Sequence, residues 1–308
     1  MTQSIIWIMQ IVFIPALSPL ALGVIRKIKA AFQNRKGASV LQPYRDIWKL
    51  LHKDEVISSD ASWIFRFAPL AVFSITLVVG ASVPVFASFL ANDVTSDILV
   101  IVYLMASVTF FVALAGMDTG SAFGGFGSSR EVTVAALAEG GLILSLLTVA
   151  LMSGTSNVFA IAETISSADL ASLLPAFFAF AGFFVVLLAE NKRFPFDNPS
   201  THLELTMIHE AMILEYSGKR LALIEWASAN KLMIFIALGA NLFFPWGIAH
   251  DAGIVVIAFA VIAFAAKALA LCMSVAVVES TIAKLRFFRL PDLLFVSFIL
   301  SVIAIGLI

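Results

Sequence analysis

Glu190-Asn-Lys-Arg-Phe-Pro-Phe-Asp197-Asn-Pro-Ser-Thr-His202-Leu-Glu204-Leu, running on to Glu215-Tyr-Ser-Gly218, is the polar stretch around which this sequence is arranged. Residues 171–189, just before it, carry no charge. Glu190, Lys192, Arg193, Asp197, Glu204, Glu210 and Glu215 then follow in close succession. A polar block between two apolar helices either faces water, as an ordinary loop, or lines a polar pocket.

Outward from this block the chain is apolar. Of its 308 residues, 61% are hydrophobic and only 13% charged, and the mean hydropathy is +1.03. A soluble domain carries roughly 25% charged residues. Apolar runs of about 20 residues recur, each able to cross ~30 Å of hydrocarbon. They fall at 4–25, 67–91, 98–116, 132–152, 172–190, 221–245, 254–278 and 290–308. A lipid-facing backbone must satisfy its own hydrogen bonds, and strict alternation is lacking, so helices rather than a barrel are expected. The expectation is an all-α polytopic membrane protein of about eight spans, with residues 1–308 as one integral membrane domain. No internal repeat stands out, and the polar connections are too short to fold alone. Residues 1–25 lack a basic start and read as a retained helix.

The net charge of −1 gives no reason to expect nucleic acid as a partner. The single cysteine, Cys272, can form no internal disulfide and hold no iron–sulfur cluster, so any redox centre is expected on another subunit.

The 19 Lys and Arg residues sort unevenly. They crowd the first, third, fifth and seventh connections, with Lys231 counted in the fifth region and Lys267 inside span seven. The alternate loops, 92–97, 153–171 and 246–253, have none. By the positive-inside rule the basic connections are cytoplasmic and both termini lie on the far side. In the first connection, Leu41, Tyr44, Trp48 and Leu51 recur at helical spacing, and Pro43 suits a first turn. This predicts a short amphipathic helix in the interface or against a partner. The Gly-rich connection from Gly116 to Arg130 lacks the Gly-Lys-Ser/Thr ending of a phosphate loop and reads as tight turns.

Charged groups inside spans cost roughly 2.5–3.5 kcal/mol each and are candidates for function. Glu131, Glu190 and Glu279 sit near span boundaries, within reach of headgroup water. Glu139, Glu225 and Lys267 lie deeper. Either Lys267 pairs with a carboxylate as structural glue, or the buried groups pass protons along a chain. In the central block, Asn198-Pro199 and Thr201-x-x-Glu204 are possible helix starts. A helix from there would set Glu204 and Glu215 on one face and His202 and His209 on another. His209-Glu210 opens like a zinc-protease motif, but position 213 is Ile, so no metal site is assigned.

These residues resemble the complex I subunit 1 (NuoH) family, in the branch found in group 4 energy-converting nickel–iron hydrogenases such as formate hydrogenlyase and hydrogenase-4. The family pattern is carried by Glu190, Arg193, Pro195, Phe196, Asp197, Glu204, Leu205 and Glu215-Tyr216-Ser217-Gly218. Asn34-Arg35, Gly37, Leu41-Gln42-Pro43 and Lys49-Leu50 match in the first loop, and Gly127-Ser128-x-Arg130 is followed nine residues on by Glu139. Tyr44-Arg45-Asp46-Ile47 and Asp118-Thr119-Gly120-Ser121 look like hydrogenase-type loops. Ser200 and His202 depart from the complex I pattern; an acid of that pattern would fall at Ser228, and Glu225 lies three residues earlier, nearly one turn away on the same side.

The resemblance implies eight membrane helices and a non-catalytic anchor subunit in the inner membrane of a prokaryote. Its implied proton or Na⁺ path comprises Glu131, Glu139, Glu190, Glu204, Glu215, Glu225 and Lys267. Arg35, Asp46, Asp118, Arg130, Arg193 and Asp197 would dock a peripheral redox arm. The implied partners are a hydrogenase-like large subunit, a small subunit with a four-iron–four-sulfur cluster, and antiporter-like membrane subunits. Iron–sulfur and nickel–iron centres would sit on those partners. The alternatives are the quinone-site subunit of respiratory complex I, with quinone as its ligand, and a self-contained transporter, which the missing repeat symmetry disfavours.

Overall fold

The computed structural model describes residues 2–58, 60–89, 95–197 and 207–308. Among them regular structure is helical, apart from two isolated bridges, Ala87 with Ala249 and Asp97 with Asn157. The helices are α1 (Thr2–Phe32), α2 (Gln42–Leu51), α3 (Trp63–Ser82), α4 (Ile98–Asp118), α5 (Ala122–Ser153), α6 (Val158–Ser166), α7 (Leu174–Glu190), α8 (His209–Ile213), α9 (Gly218–Leu242), α10 (Ile254–Thr281) and α11 (Leu290–Gly306).

Among the described residues, seven helices are long and apolar enough to cross a membrane: α1, α3, α4, α5, α9, α10 and α11. The eighth expected span is α7, an apolar helix of 17 residues. At 1.5 Å per residue it measures about 26 Å, near the lower limit for a crossing. A 3₁₀ turn, Leu170–Leu173, leads into it and lengthens the segment. The chain is thus a multi-pass helical membrane protein, and the first-loop amphipathic helix is present as α2.

Short polar caps start α3, α4 and α6. Ser62 accepts from Ile64 N, Asp97 from Leu99 N, and Asn157 from Phe159 N and Ala160 N. α9 is the central helix: 72% of its apolar window is buried within the chain, against 22% for α10, whose exposed side is left for lipid or another subunit. The connections bond within two separate sets. In one, Ser96 O accepts from Val158 N, and Ser88 N donates to Ala249 O. In the other, Ser217 Oγ donates to Val56 O, Arg220 pairs with Glu55, and Leu285 N donates to Pro195 O. The first set belongs to the segments without Lys or Arg, so charge sorting along the sequence matches sorting in space.

Three expectations are corrected. The Gly-rich connection is mostly helix: only residues 119–121 turn, and α5 begins at Ala122. Gly124 serves packing there, because a Cβ on it would lie 2.0 Å from the carbonyl oxygen of Gly116. Segment 153–171 contains α6 rather than loop alone. The central helix does not extend to Glu215: α8 ends at Ile213 and Ser217 is extended. Tyr216 fixes that turn by stacking on Phe65 at 3.9 Å and donating to Phe65 O at 2.9 Å. The expected starts at Asn198 and Thr201, and the pairings that involve His202 and Glu204, lie outside the described residues.

Candidate functional site

The segment 190–197 leaves the end of α7 and turns under the bundle, where Glu190, Lys192 and Arg193 meet partners on three different helices and Asp197 meets one in the connection after α10. Glu190 accepts from Lys231 Nζ of α9 at 2.7 Å, and the same ammonium donates to Thr109 Oγ1 of α4 at 3.0 Å. Lys192 Nζ lies 3.1 Å from Glu131 of α5 and 3.0 Å from His209 Nδ1 of α8. Arg193 donates to Glu279 of α10 at 3.1 Å, and Lys29 of α1 donates to the other oxygen of the same carboxylate at 3.1 Å. Asp197 accepts from Lys284 at 2.6 Å and from the backbone N–H groups of Ile208 and His209, so it also caps the start of α8.

Glu131, Glu190 and Glu279 are buried, at 5%, 7% and 6% exposure. This corrects the expectation that they reach headgroup water. A buried carboxylate is costly unless paired and hydrogen-bonded, and each of the three has a cation within 3.1 Å.

Three cavities follow these groups. One of 230 Å³ lies between α1, α2 and α9 and includes Arg26, Asp46 and Glu225 in its wall. It shares Leu22, Arg26 and Glu225 with a second, of 220 Å³, which reaches Lys192, His209 and Glu210. A third, of 20 Å³, holds Glu190, Lys231 and Thr109 and shares Asn191, Lys192, His209 and Ser228 with the second. That volume accommodates about one water. Glu139, half-buried in the middle of α5, lies within electrostatic reach of Glu190 and Lys231. It stands nearly five turns into α5, which begins ten residues before the expected span. Shared lining residues thus set the three cavities in series, as a polar track from α2 to the Glu190–Lys231 pair.

The two α8 groups on the track are shifted in opposite directions. Burial raises the Glu210 carboxyl to about 7, helped by the nearby charges of Glu225 and Asp197 and opposed by Lys192 and Arg26. Burial pushes His209 well below the usual imidazole range, and Lys192, Lys231 and Arg193 push it the same way. At neutral pH His209 is therefore uncharged, and the Glu210 carboxyl is able to take and release a proton.

The expected site residues divide. Glu131, Glu190, Glu225, Arg193 and Asp197 meet in this network, and Glu139 adjoins it. Glu204 lies outside the described residues. Glu215 is exposed on the turn after α8. Lys267 lines none of the three cavities. It donates to Asn241 Oδ1 at 2.5 Å and Phe244 O at 3.0 Å near the far end of α9, so its partner is an amide and a backbone carbonyl rather than a carboxylate.

Among the expected docking residues, Arg35 is exposed. Asp46 accepts from Gln42 at 2.8 Å. Asp118 accepts from Ser62 N at 2.8 Å and Ser62 Oγ at 2.6 Å, joining α4 to the start of α3. Arg130 donates to Met207 O at 3.3 Å and lies over the rings of Phe126 and Phe287. Arg193 and Asp197 are buried at 9% and 3% exposure, because their charges are used inside the chain.

Lys231 was counted with the basic connections but stands 13 residues inside α9 at 4% exposure. Its position within an expected span was the available signal. Arg26, His209, Glu210 and Thr109 carry no such mark, since only the fold brings them to the track.

The sequence model of the NADH dehydrogenase family matches residues 4–308. Hydrogenase-4 component C of Escherichia coli (strain K12) is 32% identical over 295 residues, covering 96% of this chain and 92% of that one. Formate hydrogenlyase subunit 4 of the same organism is 29% identical over 283 residues, covering 92% and 91%. A chain in the structure of the membrane-bound sulfane sulfur reductase, an archaeal respiratory membrane complex, superposes with a TM-score of 0.84 over 99% of both chains at 17% identity, which establishes the shared fold.

Proposed function

The chain belongs to the NADH dehydrogenase family, of the subunit 1 type, and from that premise we propose that it is the membrane anchor of an energy-converting hydrogenase or hydrogenase-related complex. On this reading it sits in the inner membrane of a prokaryote and catalyses no reaction alone. Its basic connections hold a peripheral arm made of a hydrogenase-like large subunit and an iron–sulfur small subunit. Antiporter-like subunits flank it in the membrane. Redox centres, iron–sulfur and nickel–iron, belong to the arm.

The observation that carries the reading is the polar track from Asp46 and Glu225, past Glu210, His209 and Lys192, to Glu190, Lys231 and Glu139. Ionisable groups in an apolar bundle are expensive, and a connected series of them suits transfer of protons or Na⁺. Its outer end opens beside α2, near the arm-binding connections, which suits coupling of electron transfer to ion movement.

The test is Glu139→Gln in the intact complex, reconstituted into phospholipid vesicles. Glutamine keeps the shape but cannot release a proton. Ion uptake per turnover should fall to background in the assembled variant. Undiminished uptake would remove Glu139 from the path.

A second reading, the quinone-site subunit of a respiratory complex, has one observation in its favour. An apolar crevice of 610 Å³ lies beneath α2, with Pro19, Tyr44, Trp48 and Trp226 in its wall. Quinone recovered stoichiometrically from the purified complex by solvent extraction would favour this alternative.

A further inference from the structure

We propose that His209 carries protons across the wall between the 220 Å³ cavity and the 20 Å³ pocket, and that Lys192 gates it by holding the imidazole in its neutral form. The inference rests on the reading of the chain as a proton path and names the step at which that path opens and closes.

The wall consists of the four residues that the two spaces share: Asn191, Lys192, His209 and Ser228. An amide and a hydroxyl do not exchange a full charge near neutral pH. Lys192 is engaged by Glu131 at 3.1 Å. That leaves the imidazole, which can take a proton on one nitrogen and give one from the other. An ammonium group only donates, so the 3.0 Å contact from Lys192 Nζ assigns Nδ1 as acceptor and places the ring proton on Nε2. The His209 backbone N–H donates to Asp197, which keeps the ring at this position while Lys192 moves.

The charges around the ring explain the gate. Lys192 and Arg193 face it from the segment after α7, and Lys231 from α9; with burial, they oppose an imidazolium. The carboxylates nearby are largely committed: Glu131 of α5 to Lys192, Glu190 of α7 to Lys231, and Asp197 to Lys284. In the outer cavity, Glu279 of α10 holds Arg193 and Lys29, with Arg26 of α1 in the same wall. Glu210, beside His209 on α8, and Glu225 of α9 complete the set.

When Lys192 turns wholly to Glu131, one positive charge leaves the ring. A proton on the Glu210 carboxyl then passes to the imidazole, giving a Glu210 carboxylate and an imidazolium. The imidazolium passes a proton, through the water that the inner pocket admits, to the Glu190 carboxylate. Neutral His209 and protonated Glu190 remain, and the Lys231 ammonium keeps Thr109 as acceptor. No electrons move. Exchange with the pocket water, or a flip of the ring, then returns the remaining proton to Nε2; Lys192 donates to Nδ1 again and the wall is closed, so the gate prevents a passive leak. An imidazole carries H⁺ and not Na⁺, so the ion that crosses this wall is a proton.

The test uses the intact complex in phospholipid vesicles containing a pH-sensitive dye, with proton uptake counted per redox turnover. His209→Gln should lower uptake per turnover about hundredfold or more. Millimolar imidazole should restore part of the uptake to His209→Ala, with a pH profile that follows the added base. Lys192→Met should speed the decay of an imposed pH gradient without turnover, and Lys192→Met combined with His209→Gln should abolish that leak. Undiminished uptake by His209→Gln, in a preparation where Glu139→Gln abolishes uptake, would overturn the gate and leave the proton path standing. Absence of uptake by the wild-type complex would overturn the path and the gate together. If His209→Gln fails to assemble, the gradient decay of Lys192→Met decides: a wild-type rate refutes the proposal.

Discussion

Lys231 shows how one residue organises this protein. Its ammonium is buried in α9, 2.7 Å from Glu190 and 3.0 Å from Thr109. Each charge is tolerable only because the other is present. Removal of either partner should destabilise the chain by about 3–5 kcal/mol, because the survivor is left as an uncompensated buried charge. Glu190→Gln and Lys231→Met should therefore each lower the midpoint of thermal unfolding in detergent. The double variant should lose less than the sum of the two. Strictly additive losses would show that the two charges do not depend on each other.

Elements here are positioned by how closely their backbones approach. α4 and α5 are joined by the short turn 119–121, and Gly124 lies against the carbonyl of Gly116. Gly124→Ala should force the two helices apart and cost about 1–3 kcal/mol. Gly125 is the control: a Cβ there meets nothing within 4 Å, and alanine is the better helix former. Gly125→Ala should be neutral or stabilising by up to about 1 kcal/mol. Thermal unfolding of the two variants side by side separates packing from helix propensity. Equal effects would remove the close-approach explanation. The Gly-rich run reads as a loop in sequence because glycine at once lowers helix propensity and permits helix contact, and only the neighbouring helix decides which effect governs.

Across the whole molecule, the two sets of connections lie apart, one basic and one without Lys or Arg. The positive-inside rule assigns the basic set to the cytoplasm. With Cys272 replaced by Ala to clear the background, Thr95→Cys should react with a membrane-impermeant maleimide only from the non-cytoplasmic side. Arg35→Cys should react only from the cytoplasmic side. Reaction of position 95 from the cytoplasm alone would invert the orientation. The exposed apolar faces of α10 and α11 fit the same picture, since a chain that buries only 22% and 28% of those windows leaves them to the bilayer or to neighbouring subunits.

The sequence by itself determined the membrane class, the approximate spans and α2, because runs of apolar side chains and helical spacing act locally and do not depend on distant partners. It also marked Glu139, Glu225 and Lys267 as costly to insert, and placed Glu131, Glu190 and Glu279 within reach of headgroup water. Tertiary structure decided what became of those charges. Glu131 and Glu190 are paired with Lys192 and Lys231 rather than solvated, Arg193 and Asp197 bind Glu279 and Lys284 inside the chain, and Lys267 serves the far end of α9. Whether a buried charge is neutralised, and by which cation, depends on side chains brought together from separate helices. Partners such as Arg193 and Glu279, 86 residues apart, leave no local pattern in the sequence.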